Sequence, residues 1–141
     1  MHIDVENVLI KLDQDLQGNI LDIGGGGEGI IGRRYGPRVI AIDNRQEELD
    51  EAPDGFEKLL MDARQLTFPE TSFDHVTFFY SLMFMSKETQ KQAIAEAIRV
   101  LKTGGYLHIW DADISKAYPE PFVIDLDIQI NGDILHTTYG I

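Results

Sequence analysis

The chain has 141 residues, one domain's worth on ordinary size grounds, with no stretch that reads as a linker. Hydrophobic residues make up 43% and aromatic residues 9%, enough for a buried core and too apolar for disorder; with no cysteine there is no disulfide framework, no thiolate nucleophile and no cysteine-held metal. Twelve Lys and Arg stand against twenty-four Asp and Glu, and the resulting net charge of −12 repels phosphate backbones, so DNA and RNA are disfavoured as partners.

The N-terminus, Met1 to Glu6, is acidic and lacks the basic start and long apolar run of a secretory signal, which predicts a cytoplasmic protein. The most apolar window, Val76 to Met85, falls far short of the roughly 18 residues of a membrane span, so no membrane role is expected. Asn19 to Ile23 reads as a short buried strand ending in glycines, followed by a helix from Glu28 to Tyr35 that Gly36-Pro37 stops. A second strand, Arg38 to Ile42, leads to a short helix, Arg45 to Glu51, then a turn through Pro53 and Gly55 and a third strand, Phe56 to Met61. Asp62 to Ser72 reads as a loop and Phe73 to Tyr80 as a fourth strand. Ser86 can cap a helix from Lys87 to Lys102, with Ile94, Ala97, Ile98 and Leu101 on its buried face and Gly104-Gly105 as its exit. Tyr106 to Trp110 is the fifth strand. The period then changes: Phe122, Ile124, Leu126, Ile128 and Ile130 alternate with polar residues, and Asn131-Gly132 before Asp133 to Tyr139 predicts a hairpin with a type I′ turn. Strands alternating with helices predict an α/β fold: a doubly wound, mostly parallel, Rossmann-like sheet with helices on both faces, ending in a C-terminal β-hairpin.

The richest segment is Leu21-Asp22-Ile23-Gly24-Gly25-Gly26-Gly27-Glu28-Gly29. Such a strand-to-helix loop needs glycine where the turn has positive φ and where a ligand must approach the backbone. A flexible surface loop or a helix–strand packing turn would use the same letters. Asp43 lies about twenty residues after Asp22 at the end of the second strand, where an acid can accept both hydroxyls of a ribose; its alternative is to cap the helix that follows. Glycine loop and acid together point to a nucleoside-containing cofactor, and by themselves would suit NAD.

Five segments in order resemble the class I S-adenosylmethionine-dependent methyltransferases. Leu21 to Gly26 looks like the family's first motif and Val39-Ile40-Ala41-Ile42-Asp43 like its second; Asp62-Ala63-Arg64-Gln65-Leu66 is similar to its third, and Ser72 to Val76 to the start of its fourth strand. Arg99 to Leu107 matches the passage from helix to fifth strand. One departure stands out: the family commonly places its next glycine where this chain has Glu28, and here Gly29 follows. The resemblance implies S-adenosyl-L-methionine as cofactor and methyl transfer as activity. It implies that Asp22 and the backbone of Gly24, Gly25 and Gly26 contact the amino acid portion, that Asp43 holds the ribose with Asn44 near the adenine, and that Asp62 and the Ala63 amide read the adenine edge. Phe79 and Tyr80 would lie below the methionyl segment, with ordinary strand core as the alternative for Phe78 and Phe79.

No catalytic base announces itself, and in-line displacement at a sulfonium needs positioning more than proton chemistry. Tyr80, Asp111 and Asp113 are the substrate-facing candidates. His75 and His108 read as structural, and no His spacing resembles a metal triad. The first expectation is a methyltransferase acting on a small molecule; the alternatives are an NAD-dependent oxidoreductase and a cofactor-binding module without catalysis. The family usually carries a further helix and two strands after its fifth strand, whereas residues 111–141 read as one hairpin. Either the hairpin takes the place of those strands in a single domain over 1–141, or the chain lacks them. The apolar face of Phe122 to Ile130 must pack on something, which suggests a homodimer through the C-terminal hairpin or, equally, packing beside the fifth strand.

Overall fold

The structure, a computed structural model, describes residues 4–111 and 122–140. The chain groups into two compact units, Leu16–Asp111 and Met1–Asp15 with Ala112–Ile141. Among the described residues the elements run β1 (Asp4–Lys11), β2 (Ile20–Ile23), α1 (Ile30–Tyr35), β3 (Val39–Asp43), α2 (Gln46–Glu51), β4 (Glu57–Leu60), β5 (Phe73–Phe79), α3 (Lys87–Val100), β6 (Leu101–Trp110), β7 (Phe122–Ile130) and β8 (Asp133–Gly140).

The larger unit is a five-stranded sheet in the order β4-β3-β2-β5-β6, every neighbouring pair parallel. The chain steps one way from β2 through β3 to β4 and the other way from β5 to β6. Because such crossovers are right-handed, α1 and α2 fall on one face and α3 on the other, and the order reverses between β2 and β5. The doubly wound, Rossmann-like sheet expected from the sequence is therefore present. Its core joins Leu21, Ile23, Ile42, Val76 and Phe78 with Ala93, Ala97 and Val100 of α3. Burying one side chain of the size of Phe78 contributes about 1.5–3 kcal/mol.

Two details of α3 differ from expectation. Ser86 does cap it, its Oγ accepting from the Thr89 amide at 3.2 Å. The helix nevertheless ends at Val100, because Leu101 turns extended and pairs with Phe73, and Gly104-Gly105 lie inside β6 at an irregularity of the ladder. The buried stripe is Ala93, Ala97 and Val100, while Ile98 is 60% exposed. The small alanines let the helix approach the sheet; of the expected face Ala97 is buried, Ile94 and Leu101 pack against the core, and Ile98 alone turns outward. From α3, Arg99 donates to the carbonyls of Leu66 and Phe68 at 3.0 Å each, and Glu96 accepts from the Leu66 amide at 2.8 Å, so the loop after β4 is held to the helix.

The smaller unit is a three-stranded sheet, β1-β7-β8. β7 and β8 form the expected hairpin, with Asn131 at φ 51° and Gly132 at φ 89°, the two left-handed positions of a type I′ turn. The N-terminal strand β1, which the sequence reading did not foresee, pairs parallel with β7, Asp4 opposite Phe122 through Lys11 opposite Gln129. Ile124, Leu126, Ile128 and Ile130 are all buried within the one chain. Both edges of β7 are thus occupied, by β1 and by β8. No described helix is long and apolar enough to cross a membrane.

Candidate functional site

In a parallel sheet the loops leaving the C-terminal strand ends share one edge, and a crevice opens where the order reverses. Every described candidate stands on that edge: Asp22 and Gly24–Gly26 at the end of β2, Asp43 and Asn44 at β3, Asp62 and Ala63 after β4, Phe79 and Tyr80 at β5, and Asp111 after β6. Asp113 lies outside the described residues.

The register of β2 and β5 sets Asp22 opposite Thr77, whose Oγ1 donates to Asp22 Oδ1 at 2.8 Å. Asp22 is 2% exposed. Burial first, and the charge of Asp43 after it, raise its pKa to about 7 against the opposing Thr77 bond. A carboxyl so poised ionises fully once a cation comes near it.

Above Asp22 the glycine loop is pinned at its start: the amides of Gly24 and Gly25 both donate to the Ile42 carbonyl, at 2.9 and 3.0 Å. Gly24 sits at φ 78°, and a Cβ there would come 2.5 Å from the Cβ of Ser81, whose Oγ donates to the Ile23 carbonyl at 2.8 Å. A Cβ on Gly25 would strike the Asp22 carboxylate, and one on Gly26 would lie 2.7 Å from Glu48 of α2. The chain's own packing therefore demands these glycines. The departure at Glu28 is absorbed by two left-handed neighbours, Gly27 and Gly29; Glu28 is exposed, its carbonyl accepting from Arg33, and α1 begins only at Ile30.

Asp43 is held by one backbone amide on each oxygen, Oδ2 by Gly26 at 3.3 Å and Oδ1 by Arg45 at 3.2 Å. Each carboxylate oxygen accepts about two bonds, so one place on each stays open, side by side. The N-cap of α2 is Arg45, which removes the capping alternative for Asp43. Asn44 follows, exposed.

Asp62 is oriented differently. Its Oδ1 accepts from the Arg64 amide at 2.9 Å, and the guanidinium grips both oxygens, Nη2 reaching Oδ2 at 2.7 Å. Those bonds to Arg64 hold its carboxyl below the usual carboxylate range. Ala63 packs at the border of the core.

Phe79 and Tyr80 are both buried, their rings edge to face at 5.2 Å, and Phe78 is plain core. Tyr80 takes an uncommon left-handed backbone at φ 52°, its amide donating to the Trp110 carbonyl at 2.7 Å. Burial, with Asp111 adding, pushes its hydroxyl up. Asp111 accepts from the Met83 amide at 3.2 Å. His75 and His108 are hydrogen-bonded to each other at 3.0 Å, with the other ring nitrogen of His75 3.0 Å from the Gln17 carbonyl, as befits structural residues.

Sequence reasoning missed Thr77, Ser81 and Arg64. Thr77 and Ser81 become site residues only through strand register, which no local pattern carries. Arg64 stands two residues after Asp62, a spacing that a search for local side-chain turns would have caught.

A family model described as "Methyltransferase domain" matches residues 21–109, more than half of the chain. No curated protein matches. Among solved structures, the PH0226 protein of Pyrococcus horikoshii OT3 is 21% identical at a TM-score of 0.56, covering 79% of this chain and 50% of that one. An S-adenosylmethionine-dependent methyltransferase of Mesorhizobium loti is 20% identical at a TM-score of 0.50, covering 77% and 46%. The [4+2]-cyclase SpnF is 25% identical at a TM-score of 0.56, covering 84% and 44%. The chain thus spans about half the length of these structures.

Proposed function

The chain belongs to the class I S-adenosylmethionine-dependent methyltransferase family, and from that premise we propose that the C-terminal strand edge of its larger unit holds S-adenosylmethionine for methyl transfer to a small-molecule acceptor. The observation that carries the reading is Asp43, fixed by one amide on each oxygen with two acceptor places left side by side, the demand of a vicinal diol. Asp22, buried beneath Gly25, would face the cofactor's ammonium, with the backbone of Gly24 to Gly26, its amides already engaged by Ile42 and Asp43, lining the amino acid portion. Asn44, Asp62 and the Ala63 amide would border the adenine, and Phe79 and Tyr80 would form the floor under the methionyl segment. When bound, the cofactor supplies an electrophilic methyl on a sulfonium. The protein's own contribution is then alignment and exclusion of water, without a base. Tyr80 and Asp111 would border the side from which an acceptor enters. The net charge of −12 supports a small neutral or cationic acceptor over nucleic acid.

Likeness to a [4+2]-cyclase favours a second reading, the same cofactor site without methyl transfer, since a fold hosts more than one chemistry. Calorimetry with S-adenosylhomocysteine and NAD in parallel tests the cofactor reading: heat with the first at micromolar concentration and little with the second is expected. Micromolar NAD binding with no heat from S-adenosylhomocysteine would overturn it.

A further inference from the structure

Asp43 and Asp62 are both aimed by backbone amides at the same strand edge, yet only Asp43 has acceptor places to spare. On Asp62, Oδ1 takes the Arg64 amide at 2.9 Å and Nε at 3.1 Å, while Oδ2 takes Nη2 at 2.7 Å and shares Nε at 3.2 Å. With about two acceptor places per oxygen, that carboxylate is full. Resting on the cofactor reading above, we propose that Arg64 is a specificity-determining residue: it competes with the adenine 6-amino group for Asp62 and so sets how strongly the site distinguishes adenine from a purine lacking that group.

The competition follows from the geometry. A planar guanidinium meets a carboxylate in a charged fork, stronger per bond than a neutral amine donating to the same oxygens. An arriving 6-amino group must therefore displace the fork before it gains its own bond. The side chains of Arg64 and Asp62 are 54% and 46% exposed, so the displaced guanidinium passes into water, and the exchange is near balance. Wild-type protein should gain little from the amino group. Without the guanidinium, Asp62 keeps the amide that aims Oδ1 and presents a free Oδ2, and the amino group is then rewarded in full.

The experiment titrates wild-type, Arg64→Ala and Arg64→Lys full-length chains by calorimetry with S-adenosylhomocysteine and with S-inosylhomocysteine, which carries a carbonyl in place of the 6-amino group. Arg64→Ala should bind S-adenosylhomocysteine about two- to fivefold more tightly than wild type, the worth of an exposed ion pair. Its preference over the inosine analogue should widen by the same factor, and Arg64→Lys, a point charge without the fork, should fall between. Unchanged or weaker S-adenosylhomocysteine binding by a folded Arg64→Ala chain, or equal changes for both ligands, overturns the proposal while leaving the cofactor reading in place. Absence of heat from S-adenosylhomocysteine in all three chains overturns the cofactor reading, and the proposal with it.

Discussion

Asp22→Asn separates what this carboxylate costs the fold from what it does for a ligand. In the unfolded chain the group titrates near 3.8, and in the folded chain near 7. Below 3.8 both states carry the proton and Asp22 is neutral in either. As pH rises from there the unfolded state ionises first, so the folded state loses stability until its own carboxyl ionises near pH 7. At roughly 1.4 kcal/mol per pH unit that interval amounts to about 4 kcal/mol at full ionisation. Asparagine keeps an oxygen for Thr77 and never ionises. Its amide N–H beneath Gly25 carries a cost of about 1–3 kcal/mol if unmet, but that cost does not vary with pH. The assay is urea unfolding of both chains without ligand at pH 4.5 and pH 8. The variant should gain about 2–4 kcal/mol on wild type between the two pH values, whatever its offset, and it should bind S-adenosylhomocysteine at least tenfold more weakly. A stability difference that stays constant from pH 4.5 to pH 8 would refute the reasoning, since the carboxyl would then ionise in the folded chain as it does in water.

The same ionisation predicts that S-adenosylhomocysteine affinity rises with pH between 5.5 and 7.5 in wild type and is flat in Asp22→Asn; a flat wild-type profile by calorimetry would count against the ammonium contact. Asp43→Ala should lose about 1.5–3 kcal/mol of binding, ten- to a hundredfold, with circular dichroism unchanged; unaltered affinity would reduce Asp43 to a support of the loop. Gly24→Ala, forced to a left-handed backbone and against Ser81, should lose about 2 kcal/mol or more in a melt; a neutral effect would mean that the loop is looser than drawn. Duplex DNA and RNA should show no appreciable binding near 0.15 M salt, and tight, salt-sensitive binding in a filter assay would reveal a basic face.

Elements whose signals are local were legible. The Asn131-Gly132 turn, the Ser86 cap and the strand-to-glycine junction after Ile23 each depend on a few neighbouring residues, and each appears where the pattern puts it. What failed depends on distant partners. β1 carries an imperfect alternation, Val5-Glu6-Asn7-Val8, and becomes a strand by pairing with β7 from the far end of the chain. On α3 the helical period places Ile94, Ala97 and Leu101 against the core as expected, but Ala93 and Val100, not Ile98, complete the buried face, because close approach to the sheet selects the smaller side chains. The candidate acids were recognisable by motif, but their states were not: the burial of Asp22 follows from strand register, and the fork on Asp62 from one rotamer of Arg64.

A crystal structure of the full chain with S-adenosylhomocysteine tests the central claim most directly. The account predicts both Asp43 oxygens within hydrogen-bonding distance of the two ribose hydroxyls, their bonds to the Gly26 and Arg45 amides kept, and the ligand's ammonium over Asp22. A ligand bound elsewhere on the chain, or a ribose turned away from Asp43 with Asp22 still facing only Thr77, would contradict it.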